Sequence, residues 1–265
     1  ITETAMPTLN DGELLIKASF ISVDPYMRSR MSDAKSYVPP FVLGKAMDGG
    51  VVAEVIESRH PDFAIGDSVL GHLQWQEIQS VSAEKVTKLN KSVPLSYYLG
   101  ILGMTGLTAY FGLLEIGKPA SGETVVVSGA AGAVGMAACQ IARLKGCRVV
   151  AIAGSDEKTT YLKNVVKVDE IINYATEKNL KAAIERACPQ GVDVYFDNVG
   201  GEISDAVLSN INNYARIVLC GQISGYNLTE IPVGPRPQPI LVKKSALMQG
   251  FIVTNYSSRF GEGVQ

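Results

Sequence analysis

The chain has 265 residues, with 24 Lys and Arg against 26 Asp and Glu, a net charge of −2. Hydrophobic residues make up 46% and charged residues 19%, enough apolar material for the core of one large or two ordinary domains. No basic run exceeds the pair Lys243–Lys244, which argues against nucleic acid or an anionic membrane surface as main partner, and no apolar run approaches the about 18 residues of a membrane span.

The chain starts at Ile1 with neither an initiator Met nor a signal-peptide pattern, so a trimmed N-terminus is expected. Cys139, Cys147, Cys188 and Cys220 are scattered, form no C-x-x-C pair, and have only His60 and His72 as possible imidazole partners. A thiolate zinc site is therefore not expected, and the thiols read as reduced core residues of a cytoplasmic protein.

In chain order, Glu13–Val23 alternates as ELLIKASFISV, placing Leu15, Lys17 and Ser19 opposite Leu14, Ile16 and Ala18. Gly49–Ile56 and Ser68–Leu73 are further strands. Turn signals fall at Asp24-Pro25, Pro39-Pro40, His60-Pro61-Asp62 and Gly66-Asp67, and Asp24 is expected to cap its turn. Such spacing favours a small β-rich barrel or sandwich over residues 1–95. From Ser96 the pattern changes, and Tyr97–Leu114 is apolar at helical spacing.

After Gly122 strands and helices alternate. Strands are expected at Thr124–Ser128, Arg148–Ala153, Glu170–Tyr174, Val192–Asp197, Ala215–Gly221 and Met248–Thr254. Helices are expected at Ala133–Lys145, Asp156–Asn164, Glu177–Ala187 and Glu202–Ile211. Continuous Val/Ile runs separated by helices imply an α/β fold, a doubly wound parallel sheet of Rossmann type over residues 96–265.

The first strand runs into SGAAGAVG, with Gly129, Gly132 and Gly135 spaced by three. Gly132 lets the backbone approach a pyrophosphate, Gly135 lets the helix pack close, and the helix start offers free N–H groups. The second strand ends AIAGS, without the acid that an NAD enzyme uses for the ribose 2′-hydroxyl. Ser155, Lys158 and Tyr174 instead offer a hydroxyl, a cation and a phenol to a 2′-phosphate, so NADP(H) is the expected cofactor. Asp156 and Glu157 are read as the start of the next helix.

The motifs SVDPYMR (Ser22–Arg28), GDSVLG (Gly66–Gly71), GMTGLTAYFGL (Gly103–Leu113), VVSGAAGAVG (Val126–Gly135), GVDVYFDNVGG (Gly191–Gly201) and CGQISGYN (Cys220–Asn227) run along nearly the whole chain. On them the chain resembles the zinc-independent medium-chain dehydrogenase/reductases. The resemblance is to the leukotriene B4 12-hydroxydehydrogenase/prostaglandin reductase group with its bacterial curcumin-reductase-like relatives. It implies a GroES-like β-rich catalytic domain followed by the Rossmann domain. It also implies roles for matching positions. Gly132, Ala133, Val134 and Gly135 would face the pyrophosphate, and Lys158 and Tyr174 the 2′-phosphate. Asn198 would bind near the nicotinamide half. Cys220, Gly221, Gln222, Ile223, Ser224 and Tyr226 would line the nicotinamide ribose. Phe251, Ile252 and Val253 would contact cofactor and substrate, and Tyr26, Tyr37, Leu73 and Met104 are further pocket candidates. Thr105 stands where the family usually has Pro. Members of the group continue for several dozen residues past the position of Gln265, so the C-terminal completion of the catalytic domain is expected to be missing.

The stretch SFISVDPYMR carries Asp24 and no Cys, so the metal is not expected as Lewis acid. Hydride delivery to the β-carbon of an α,β-unsaturated ketone or aldehyde needs only hydrogen bonds to the developing enolate, and Tyr226 is the candidate donor. The α-carbon proton then comes from Tyr226 or water. A quinone reductase and a non-catalytic NADPH-binding scaffold are the alternatives. The sixth Rossmann strand lies at a sheet edge, and relatives pair it across a two-fold axis, so a homodimer is expected.

Overall fold

The computed structural model describes residues 2–33 and 35–265, in two compact units, Ile1–Gly103 and Met104–Gln265. The first unit is a five-stranded antiparallel sheet of β1 (Glu13–Ile21), β2 (Asp48–Ser58), β3 (Ser68–Gln74), β4 (Ile78–Ser82) and β5 (Val86–Lys88), in the order β4-β1-β2-β3-β5. Leu14, Ile16, Val51, Ala53, Val55, Val69 and Leu73 form its core. The alternation in β1 is broken. Leu14, Leu15 and Ile16 are all buried, because the register with β2 shifts between Leu15 and Ile16. The Asp24 carboxylate accepts from the Ser22 hydroxyl (2.6 Å) and makes no cap bond to the short 3₁₀ segment Pro25–Met31 that follows it.

The helix expected over Tyr97–Leu114 is two pieces. A 3₁₀ turn at Leu95–Leu99 stops at Gly100, and α1 (Met104–Phe111) starts four residues later and widens into a π-turn over Gly112–Gly117.

The second unit holds six parallel strands: β6 (Thr124–Ser128), β7 (Arg148–Ala153), β8 (Glu170–Asn173), β9 (Val192–Asp197), β10 (Ile211–Leu219) and β11 (Leu247–Gly250). Their order is β11-β10-β9-β6-β7-β8, so the direction of winding reverses between β6 and β9. The helices between them are α2 (Ala133–Leu144), α3 (Asp156–Tyr161), α4 (Leu180–Ala187), α5 (Gly201–Leu208) and α6 (Gln238–Lys244). A short α7 (Phe260–Val264) follows the sheet. The strand TVVVS is buried throughout, because its side chains feed two cores. Val125 and Val127 join Ala109, Leu113 and Ala138 on one face, and Val126 joins Ile184, Ala206 and Val207 on the other. Each such side chain contributes about 1.5–3 kcal/mol of burial.

Several boundaries differ from expectation. α4 begins at Leu180 because Asn179 caps it, accepting from the Ala182 amide at 3.0 Å. α5 ends at Leu208, and Ile211 opens β10, which bulges at Tyr214 (φ 61°) before pairing resumes at Arg216. β11 ends at Gly250 rather than Thr254, since Phe251 turns inward to lie against Gly112.

Arg216 fastens β10 to the approach to β6. Its guanidinium donates to Gly117 O (2.8 Å) and forms a two-pronged pair with Glu123 (3.0 and 2.5 Å). Burial pushes the Glu123 carboxyl up, but the bonds from Arg216 and the Ala120 amide outweigh it and hold the group below its usual value. A depressed folded value stabilises above the unfolded pKa, about 4.3, and that contribution is lost as pH falls through the folded value. Arg216→Met is expected to cost about 2 kcal/mol at neutral pH and to flatten part of the acid slope. Urea melts of both proteins at pH 7 and pH 4 measure this, and an unchanged midpoint at pH 7 contradicts it.

Candidate functional site

The carboxyl ends of the parallel strands gather most of the sequence-derived candidates. β6 ends at Ser128, and Gly129 (φ 58°) starts a tight turn in which the Gly132 amide donates to Gly129 O (2.9 Å). Gly132 is the N-cap of α2. Met136 N donates to Gly132 O (2.8 Å), so the amides of Ala133, Val134 and Gly135 precede that bond at the helix start. A side chain at Gly135 has no room, because its Cβ would strike Gly129 O and come within 2.7 Å of Ala130 Cα. The helix thus seats on the turn itself. The backbone forms a glycine cradle at the positive end of a dipole, which fits a pyrophosphate.

Asp197, at the end of β9, organises the adjoining loops. Its buried Oδ1 accepts from Ser128 Oγ (2.8 Å), Tyr195 OH (2.8 Å), Val199 N (2.9 Å) and Gly200 N (2.9 Å). Burial first, then the Asp197 charge, raises the Tyr195 phenol well above its ordinary value, so that phenol stays protonated and donating. Asn198 is held by its amide N to Ser128 Oγ (3.0 Å) and by Nδ2 to Ser128 O (2.8 Å). The Asp197 carbonyl then accepts from Cys220 N (2.8 Å) and Gly221 N (3.1 Å), fixing the start of CGQISGYN. Sequence reading passed over Asp197. Its signal was an acid closing the strand VDVYFD directly before NVGG.

The same loop folds back on β9. Ile223 N and Ser224 N donate to Asn198 O and Val199 O (3.3 and 3.1 Å), and Ser224 Oγ donates to Val199 O (2.6 Å). Tyr226 OH lies 3.3 Å from where a Cβ on Gly221 would stand, so the phenol is carried over the loop onto its own first glycine. Gln222 lies against Gly200. Burial pushes the Cys220 thiol up to about 12, which leaves it an unreactive packing group.

At the end of β7 the Tyr174 ring occupies the space beside Gly154, and a Cβ there would come within 2.8 Å of its Cε1. Tyr174 is nonetheless 44% exposed, presenting its phenol to solvent beside α3. Ser155, not Asp156, caps α3, accepting from Lys158 N at 3.3 Å. Asp156 instead accepts from Asn173 Nδ2 (2.8 Å), which ties its carboxylate to β8 and away from the role of a ribose ligand. The trio Ser155, Lys158 and Tyr174 therefore clusters past β7 and β8.

The remaining candidates are placed differently. Phe251 packs against Gly112, Ile252 is half-buried, and the Val253 side chain is buried with Leu107 and Phe111. Met104 is the half-exposed first residue of α1. In the first unit Leu73 is a core side chain packed with Val51 and Val69. Tyr37 is exposed and Tyr26 half-buried in the 3₁₀ segment, its phenol raised by burial and then by Asp24.

A doubly wound sheet with a glycine cradle at its switch point, in a chain that also carries an antiparallel β unit, defines a dinucleotide-dependent oxidoreductase architecture. A family model described as "N-terminal domain of oxidoreductase" matches residues 1–89, and one described as "Zinc-binding dehydrogenase" matches residues 133–265. The chain belongs to the medium-chain dehydrogenase/reductase family, in the group of the prostaglandin and curcumin reductases. YfmJ of Bacillus subtilis, an NADP-dependent oxidoreductase by name, is 57% identical over 263 residues, 98% of this chain and 77% of the relative. The NADPH-dependent curcumin reductase of Escherichia coli is 44% identical over 268 residues, covering 99% of this chain and 77% of the relative. The crystal structure of CurA from Vibrio vulnificus in complex with NADPH superposes with a TM-score of 0.93 at 42% identity, over 99% of this chain and 80% of that one.

Zinc, named in the second family description, does not fit the residues present. No group of three His, Cys, Asp or Glu that could hold a metal occurs among the described residues, and the thiols of Cys139, Cys188 and Cys220 are pushed up by burial.

Two outcomes test this geometry. Gly154→Ala is expected to displace Tyr174 and raise the dissociation constant for NADPH about tenfold, with NADH affinity nearly unchanged, read by nicotinamide fluorescence. Equal losses for both nucleotides would mean that the Tyr174 seat plays no part in the 2′-phosphate site. Iodoacetamide at pH 8 is expected to leave Cys220 unlabelled in the folded protein and to label it in urea, as mass spectrometry of its peptide reports.

Proposed function

We propose that this chain is an NADPH-dependent reductase of carbon–carbon double bonds conjugated to a carbonyl. The observation that carries the reading is that the Gly129–Gly135 cradle, Ser155 with Lys158 in the first turn of α3, and Tyr174 follow the adjacent strands β6, β7 and β8 at their carboxyl ends. That combination suits a dinucleotide bearing a 2′-phosphate. The likeness to the curcumin reductase, at 44% identity, supports the substrate class.

When bound, the nicotinamide supplies the hydride. The protein's own residues do the rest. Gly132 to Gly135 hold the pyrophosphate by backbone amides, Lys158 and Tyr174 hold the 2′-phosphate, and Ser155 keeps α3 in place as its cap. Asn198, pinned to Ser128, and the Cys220–Ser224 backbone, pinned to Asp197, Asn198 and Val199, orient the nicotinamide half. Phe251, Ile252 and Val253 border that half through backbone and ring. Reduction adds a hydride at the substrate β-carbon and a proton at the α-carbon, with negative charge passing onto the carbonyl oxygen in between. Tyr226 donates the hydrogen bond that holds this oxygen. Tyr26, Tyr37 and Met104 contact substrate. In this reading residues 1–95 form the GroES-like catalytic domain and residues 96–265 the cofactor domain.

The protein works as a cytoplasmic homodimer. The support is the short edge strand β11, with exposed Leu247 and Gln249 and one pairing partner, β10, which leaves a row of backbone groups for a second copy. Among the described residues no helix is long and apolar enough to cross a membrane.

The test is oxidation of NADPH against a panel of a small 2-alkenal, curcumin, a long-chain 15-oxo lipid and a quinone. Turnover of the enones and enal is expected, and turnover of the quinone alone would overturn the substrate class. Lys158→Ala is expected to raise KM for NADPH at least about tenfold while leaving NADH use unchanged. Tyr226→Phe is expected to lower kcat about a hundredfold with KM nearly constant, and unchanged kcat would remove its role.

A further inference from the structure

Between the 3₁₀ segment Pro25–Met31 and β2, the described residues 32–33 and 35–47 form neither helix nor strand. Ordered loops of this length are uncommon in a compact domain and are often functional. One side chain supplies several contacts here. Arg30 is 8% exposed, unusual for an arginine, and lies at the end of the 3₁₀ segment. Its Nε donates to Pro39 O (2.9 Å), and its guanidinium lies 4.0 Å above the Phe41 ring. Its own carbonyl accepts from Phe41 N (2.8 Å). Its two terminal nitrogens grip both oxygens of Asp48 at the start of β2 (2.5 and 3.1 Å). Asp48 Oδ1 is also 2.6 Å from His72 Nε2 on β3.

The consequence is a single cross-brace. The fork anchors Arg30 to the rigid sheet, and the Nε, the ring face and the main chain then hold the Pro39–Phe41 stretch of the loop. Tyr37 lies two residues before Pro39. Tyr26 is in the same 3₁₀ segment as Arg30, close enough for the guanidinium charge to oppose the upward push on its phenol. Tyr26 thus shares the segment of the buried cation, and Tyr37 lies on the loop that the cation holds at Pro39 and Phe41.

We propose that Arg30 is a positioning residue for substrate selectivity, holding Tyr26 and the Tyr37 loop so that large conjugated enones are bound in preference to small enals. The inference rests on the reductase reading, and it adds a residue that touches neither cofactor nor reacting atoms. A small enal needs little wall beyond the reacting carbons. A two-ringed or long-chain enone needs walls further out, and its binding suffers most when the loop is loose.

Arg30→Met and Arg30→Lys test it in the full chain, with KM and kcat measured separately for curcumin and for a short 2-alkenal. Arg30→Met is expected to raise KM for curcumin about tenfold, the effect of losing a charge-assisted contact, and for the short alkenal only about twofold. In both cases kcat should fall less than about threefold, and NADPH affinity by fluorescence should be unchanged. Arg30→Lys keeps the charge without the fork and should restore only part of the curcumin KM. Phe41→Leu keeps the ion pair, removes the ring face, and serves if Arg30→Met fails to fold; it should move the two KM values in the same sense by less. Trypsin cleavage at Lys35 and Lys45 gives a readout independent of turnover and should accelerate in each variant. Equal KM changes for the two substrates, or an unchanged cleavage rate, would overturn the proposal. Wild-type protein that turns over no enone refutes the reductase reading instead, and the cleavage rate then still reports whether Arg30 braces the loop.

Discussion

The buried carboxylate of Asp197 is the constraint on which the cofactor edge depends. Four donors converge on a single oxygen, two from side chains of the core strands and two from the loop amides that follow. A carboxylate removed from water is costly unless its bonds are made, and here they draw together β6, β9 and the first turn after β9. The main-chain oxygen of the same residue receives the first two amides of the next loop. One residue thereby aligns the phosphate turn, Asn198 and the Tyr226 loop, although Asp197 itself lies 69 positions from Ser128 at the start of that turn. The glycine cradle alone would leave the nicotinamide side of the edge unsupported.

The first unit solves its own version of this problem with a cation. Arg30 carries an irregular loop on a forked pair with Asp48, in place of regular ladder bonds. Both devices use a buried charge with several directional partners, and both sit where the chain leaves regular structure. The regular parts of each unit rely on ordinary apolar burial, with Val and Ile on the two faces of the parallel sheet and on one face of the antiparallel sheet.

Much of this was legible in the sequence. The parallel sheet could be read because uninterrupted Val/Ile runs alternate with helical spacing, and because Gly129, Gly132 and Gly135 occupy the one junction where glycines of this spacing have a purpose. The choice of NADP(H) was legible because a missing acid at the end of β7 is informative. Leu73, a pocket candidate by resemblance, packs in the core of the antiparallel sheet, which a family likeness alone does not show. The end of β11 was overextended because nothing in FIVT announces that Phe251 must fill the notch at Gly112. Asp197 and Arg30 escaped for a common reason. Their partners come from distant segments, and a single polar residue near an apolar run carries no local period.

The seat of Tyr174 has a bearing on how such a protein changes over generations. Gly154 is bare because the neighbouring ring takes its space, so the two positions cannot vary independently. Any side chain at 154 evicts the ring, while loss of the ring leaves a gap in which 154 is suddenly free to accept a side chain. A lineage that places a side chain at 154 has to surrender the tyrosine first. The reverse order passes through a crowded intermediate. The packing of one aromatic ring on one glycine thus gives a pair of substitutions an order.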